Sequence, residues 1–216
     1  MFALGLAWIF RSPVAFDAKD YQIEFFRFYI FLLTCISGTL VSDSISKGMI
    51  KYQLMCRKKR IVMWNVKVLE AVTYILCFWL LSCVLGIIES LINVGSIDFT
   101  EILNPERFLI YFLSGLALCT MGYLLSLITK NVYMSLVGMM ILWILSYQLL
   151  PFFIYSGVID MMGNRSITEI LWYIPQVIVV KGVNDGCISL DKVLVLLLVS
   201  LLNYIGGYRI YNKMEV

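Results

Sequence analysis

Glu70 stands directly against a long uncharged run, residues 71–88, and Lys67 stands three positions before it. An acid held in lipid is a candidate for proton or ion coupling, because charge there is costly and is usually kept for function. On a helix, however, residues three apart meet on one face, so Lys67 and Glu70 are expected to form a structural ion pair at the edge of the apolar run. The middles of the other apolar runs hold no acid at all. That disfavours coupling through buried carboxylates.

Other chemistries lack their residues. The chain of 216 residues has no histidine, which removes the commonest general base and the commonest transition-metal ligand. No GxxxxGK[ST] occurs, so no phosphate-cradling loop of that kind is present. The six cysteines, at 35, 56, 77, 83, 119 and 187, include no CxxC pair. They read as small apolar packing residues, with Cys187 alone expected on the outer side. Neither a catalytic nor a cofactor-binding site is expected, nor a metal site.

What the sequence does concentrate is positive charge. Seven of the seventeen Lys and Arg fall between Asp43 and Glu70: Lys47, Lys51, Arg57, Lys58, Lys59, Arg60 and Lys67. At 100° per residue, Ile45, Met49, Tyr52 and Cys56 share one stripe, while Lys47, Lys51 and Lys58 lie opposite with Ile50 and Leu54 beside them. Such a helix either rests on anionic lipid or presses Ile50 and Leu54 into the groove of a partner protein. Periodicity does not separate the two.

The elements that must carry this stretch follow from composition. With 61% hydrophobic residues, 14% charged residues and a mean hydropathy of +0.89, the chain reads as an integral membrane protein. One all-α membrane domain over residues 1–216 is expected. Residues 1–10 are apolar, but ten helical residues rise only about 15 Å against a core of roughly 30 Å, so they read as a partial first span. Complete spans are expected at 25–42, 61–88, 108–129, 132–159 and 193–208, five in all. External loops are expected at 11–24 and 89–107, a tight inner turn at Lys130 and Asn131, and a re-entrant segment at 170–180, interrupted by Pro175. Pro151 is expected to kink or stop the fourth complete span.

This layout puts +7 on the inner side and −4 on the outer side, as the retention of basic short loops in the cytoplasm requires. The cell membrane is the expected location, with the C-terminus cytoplasmic. The basic total reflects loop placement and gives no case for nucleic acid. Gly38 with Ser42, Gly115 with Cys119, and Gly206 with Gly207 mark close helix approaches, read as packing within the chain rather than a dimer seam.

Gly48-Met49-Ile50-Lys51, followed by Leu54, Arg57, Arg60 and Lys67, resembles the first cytoplasmic loop of ABC-2 type transporter permeases. In that family a GT(I/L)-K pattern preceded by an acid is followed by a leucine, a Pro-Ser-Arg-like turn and a lysine opening the next span. Met49 replaces the usual threonine, residues 56–60 replace the proline-containing turn, and Asp43 lies one residue further from Gly48 than is typical. The family has six spans with both ends cytoplasmic, a pattern from which residues 1–10 depart.

The resemblance implies a transmembrane subunit without its own ATPase. It would pair with a second permease copy or homologue and with ABC ATP-binding subunits that hold ATP and Mg. It assigns the docking (coupling) helix to Lys47, Gly48, Ile50, Lys51, Leu54 and Arg57. Export of, or immunity to, a peptide or amphiphile is the implied activity, with the substrate-binding residues unknown. A non-transporting membrane scaffold or sensor remains the alternative.

Overall fold

The computed structural model describes residues 18–46, 60–93, 99–149, 173–185 and 187–213. These residues form helices and contain no strand. We number them α1 (Ala18–Ser46), α2 (Arg60–Asn93), α3 (Phe99–Ile102), α4 (Pro105–Thr129), α5 (Val132–Trp143), α6 (Pro175–Asp185) and α7 (Leu190–Lys213), with a π-helical turn Ile144–Leu149 after α5. Arg60–Ile88, Pro105–Thr129 and Leu190–Lys213 are each long and apolar enough to cross a membrane, and Phe28–Thr39 and Val132–Trp143 are shorter apolar stretches. The described residues are therefore all-helical, with membrane-protein character.

The bundle is built around α4. It packs on α1, α2, α5, α6 and α7, and its Ile110, Leu113, Leu118, Tyr123 and Leu127 are buried. By contrast α7 turns Leu194, Leu197, Leu198, Leu201 and Leu202 outward, and α2 turns out Leu69, Leu76, Leu80, Val84 and Ile88. Exposed leucine-rich faces on apolar helices of this length suit contact with lipid tails. The hydrophobic pattern thus ranks the helices from centre to rim.

At the end of the bundle away from Arg60, aromatic rings hold α1, α2 and α4 together. Tyr111 is ringed by Phe26 at 4.7 Å, Trp79 at 5.0 Å and Tyr29 at 5.1 Å between ring centroids. The Tyr29 hydroxyl donates to the Tyr111 carbonyl at 3.0 Å. Offset and edge-on ring pairs of this kind add to the area they bury, so this end is a packed aromatic block.

Helix ends depart from the expected spans in a consistent direction. The first complete span, expected at 25–42, lies within a helix of Ala18–Ser46, so that residues 18–24 are helical and not loop. The helix expected to end at 88 runs on through Asn93, and α4 starts at Pro105 rather than 108. Hydropathy locates the part of a helix that needs lipid, whereas the backbone stays helical until a cap or a proline stops it. Asn104 does this for α4, its side chain accepting from Glu106 N at 2.9 Å, with Pro105 at the first helical position.

Two prolines act differently from expectation or beyond reach of it. Pro175 opens α6 instead of interrupting an apolar segment, as its fixed φ and missing N–H favour at a first turn. Residues Val177, Ile178 and Val179 of that helix are buried against the bundle; residues 170–172 of the expected re-entrant segment lie outside the described residues. Where the fourth complete span is expected, at 132–159, regular α-helix ends at Trp143 and widens into the π turn. Pro151 itself lies outside the described residues, and the carbonyl its missing N–H would orphan is at residue 147, so the widening begins upstream of that effect.

The expected tight turn between α4 and α5 is two residues long. Lys130 takes the left-handed conformation with φ 53° and its N–H closes onto Ser126 O at 3.0 Å. Asn131 then caps α5, its side chain accepting from Tyr133 N at 2.9 Å and Met134 N at 3.2 Å. Losing such a cap costs about 1 kcal/mol. Asn131→Ala is expected to lower stability by that amount in equilibrium unfolding of the detergent-solubilised chain, with Asn131→Asp close to wild type.

Candidate functional site

The docking residues Lys47, Gly48, Ile50, Lys51, Leu54 and Arg57 lie outside the described residues. What the structure describes is how the helices on either side, α1 before and α2 after, are held at the ends that lead into that stretch. Both are built into the bundle, α1 on α4 and α5, α2 on α4 and α7.

On α1 the holding device is a seam of small residues. A Cβ on Gly38 would stand 3.3 Å from Leu136 Cα and 3.3 Å from Ser135 O of α5, so the two backbones nearly touch there. Gly122 of α4 is tighter still, since a Cβ on it would fall 2.5 Å from Ser37 Oγ and 2.9 Å from the Ser37 backbone carbon. Ser126 completes the seam: its hydroxyl donates to Gly38 O at 3.3 Å and pairs with Ser135 Oγ at 2.8 Å. One buried hydroxyl therefore ties α1, α4 and α5 together.

On α2 the device is one large ring. Trp64, one turn into the helix, is 1% exposed and lies among Tyr211 at 5.7 Å, Tyr204 at 6.1 Å and Tyr123 at 6.2 Å between centroids. Gly207 of α7 makes room for it, because a Cβ there would be 2.7 Å from Trp64 Cζ2. Around this ring three hydrogen bonds cross between helices. The Arg60 guanidinium donates to Asn212 O, the Tyr204 hydroxyl to Asn65 Oδ1 at 2.6 Å, and the Tyr123 hydroxyl to Lys67 O at 3.1 Å.

Lys67 and Glu70 lie 3.0 Å apart, Nζ to Oε2, with side chains 20% and 33% exposed. The carboxylate thus has a cationic partner on its own helix. A pair three residues apart links adjacent turns of one helix. Among the described residues no three His, Cys, Asp or Glu side chains come together as metal ligands would, and Cys35, Cys77, Cys83, Cys119 and Cys187 are free thiols.

Several residues that hold these ends escape a reading of the sequence. Gly122 and Ser126 stand four apart on α4, the same small-residue spacing that singled out Gly38 and Gly115, and that spacing was the available signal. Trp64 carried none, since a tryptophan near a membrane edge is equally at home facing lipid headgroups. Gly207 was singled out only as half of a pair. In the structure Gly207 bears on Trp64, while a Cβ on Gly206 would meet nothing nearer than Leu124 Cδ1 at 3.7 Å.

No family model, no curated protein and no solved structure matches this chain.

Proposed function

We propose that this chain is the transmembrane permease subunit of an ABC-2-like transporter, located in the cell membrane with its C-terminus in the cytoplasm. The observation that carries the reading is the basic stretch 47–60, with Ile50 and Leu54 among its lysines, connecting two helices that are both built into the bundle at their adjoining ends. A lever of that kind is useful only if force reaches it from outside, and the sequence holds no phosphate-cradling loop to supply that force. In this reading five spans, a partial first span and an external re-entrant segment make one membrane domain. A second permease copy or homologue and a separate ABC ATP-binding subunit, holding ATP and Mg, complete the transporter.

Docking of the ATP-binding subunit falls to Lys47, Gly48, Ile50, Lys51, Leu54 and Arg57. The lysines and arginine steer the approach, and the two apolar residues fill the partner's groove. Closure of the ATP-binding subunits would then move this helix as a unit and tilt α1 and α2 with it. Export of, or immunity to, a peptide or amphiphile is the activity proposed.

Co-purification tests the docking assignment. An ABC ATP-binding subunit is expected to stay with the wild-type chain through affinity purification from its native membrane and to be lost from Ile50→Asp/Leu54→Asp. Buried aspartates facing an apolar groove cost several kcal/mol, enough to reduce a micromolar complex below detection. Retention of that subunit by the double variant would remove the docking role.

A further inference from the structure

The two ends of α2 are held by different kinds of contact. Towards the Asn93 end, Trp79 packs edge-on against Phe108 at 5.4 Å and Tyr111 at 5.0 Å, Phe78 meets Tyr29 at 5.6 Å, and Cys83 lies buried against Ile102 O at 4.0 Å. At the Arg60 end the two hydrogen bonds to α7, from Arg60 to Asn212 O and from Tyr204 to Asn65, are both exposed. Of the long helices that α2 packs on, α7 touches it least. An exposed hydrogen bond is cheap to break, because water takes the partner's place, whereas a buried one leaves an orphan. Trp64 adds a reason for this end to part. Its indole Nε1 is buried with no hydrogen-bond partner among the described residues, a cost that lasts while the ring is covered and is relieved once water reaches it.

We propose that the Arg60 end of α2 and the last two turns of α7 form a gate, in which α2 swings on its aromatic end, parts from α7 and admits water to Trp64 and Tyr211. The Arg60–Asn212 and Tyr204–Asn65 bonds are its latch. Gly207 presents no side chain for the Trp64 ring to catch on, so the two surfaces separate without interlocking. The Tyr123 bond to Lys67 O comes from α4, and α2 keeps it by moving across α4 rather than off it. The gate is a property of this chain alone and does not rest on the transporter reading. Within that reading it is what a pull on residues 47–59 opens, because Arg60 is at once a latch residue and the first residue of α2 after that stretch.

Hydroxyl-radical footprinting of the full chain in lipid nanodiscs, read residue by residue by mass spectrometry, tests this directly. Trp64 and Tyr211 report on the gate, and Trp79 and Tyr111 on the aromatic end; all four are buried. Arg60→Gln/Tyr204→Phe is expected to raise the oxidation rate of Trp64 and Tyr211 roughly tenfold over wild type, each bond holding the gate by a factor of about three, with Trp79 and Tyr111 unchanged. Tyr204→Phe alone removes one hydroxyl and keeps the ring, and is expected to give about threefold at the same two residues should the double variant fail to fold. Unchanged rates at Trp64 and Tyr211 in Tyr204→Phe, or a rise there that Trp79 and Tyr111 share equally, would overturn the gate. No ATP-binding subunit enters this measurement, so loss of the gate and loss of the docking assignment are read separately.

Discussion

Gly122→Val is expected to be among the most damaging single substitutions in the bundle. The first atom of any side chain at this position would overlap Ser37, including its backbone carbon at 2.9 Å, and no rotamer change moves a backbone. α1 would have to back away from α4, and with it would go the Ser126 bonds to Gly38 O and Ser135. Overpacking of this kind costs about 1–3 kcal/mol, and an orphaned buried hydroxyl adds roughly 1 kcal/mol more. Equilibrium unfolding in mixed micelles is expected to place Gly122→Val about 2–4 kcal/mol below wild type. Gly122→Ala should already show part of that loss, because the conflict begins at Cβ. Gly206→Ala, in the open, is expected to be close to neutral.

The second large effect is at Trp64. Removing a fully buried tryptophan costs about 3–5 kcal/mol. Its contacts with Tyr123, Tyr204 and Tyr211 come from α4 and α7, so Trp64→Ala frees the start of α2 from two helices at once. The expected result is a drop in global stability of that size. Accelerated amide exchange should also be concentrated over the first two turns of α2, while the aromatic block around Tyr111 stays protected. Uniform acceleration over the whole bundle would show instead that Trp64 is an ordinary core residue with no special hold on this end. Gly207→Val provides the reverse disturbance, pressing into the same ring at 2.7 Å, and should soften the same two turns.

The helical class and the apolar cores of the three long helices were legible because they follow from the absence of charge over about twenty residues, and lipid imposes that condition on every such helix. Helix ends were less legible. Glu89 and Ser90 read as loop because they are polar, yet α2 continues to Asn93, and the Ser90 hydroxyl bonds back to Gly86 O at 2.9 Å within the helix. Pro175 illustrates the same ambiguity, since a proline disrupts a helix interior but suits a helix start, and only the position of the first turn distinguishes these. The pairing of Lys67 with Glu70 needed only helix geometry and is present at 3.0 Å.

The holding residues were hard to read for a different reason. Gly122 matters because Ser37 lies against it, and the two are brought together by the mutual placement of α1 and α4, about which local sequence carries no information. Trp64, Tyr123, Tyr204 and Tyr211 are spread over three helices and meet only when these pack. Aromatic content alone suggested core or lipid contact. The hydrogen bonds from Tyr123 to Lys67 O and from Tyr204 to Asn65 show that the rings also carry cross-helix donors, as buried or interfacial tyrosines usually do.

The two-residue connection at Lys130 and Asn131 limits how the membrane domain can rearrange. With Lys130 N–H spent on Ser126 O and the Asn131 side chain spent on the first turn of α5, there is no spare chain between α4 and α5. Neither helix can piston past its neighbour. Whatever motion the domain undergoes along this pair must be rocking about a shared pivot, with displacement growing toward the Trp143 end.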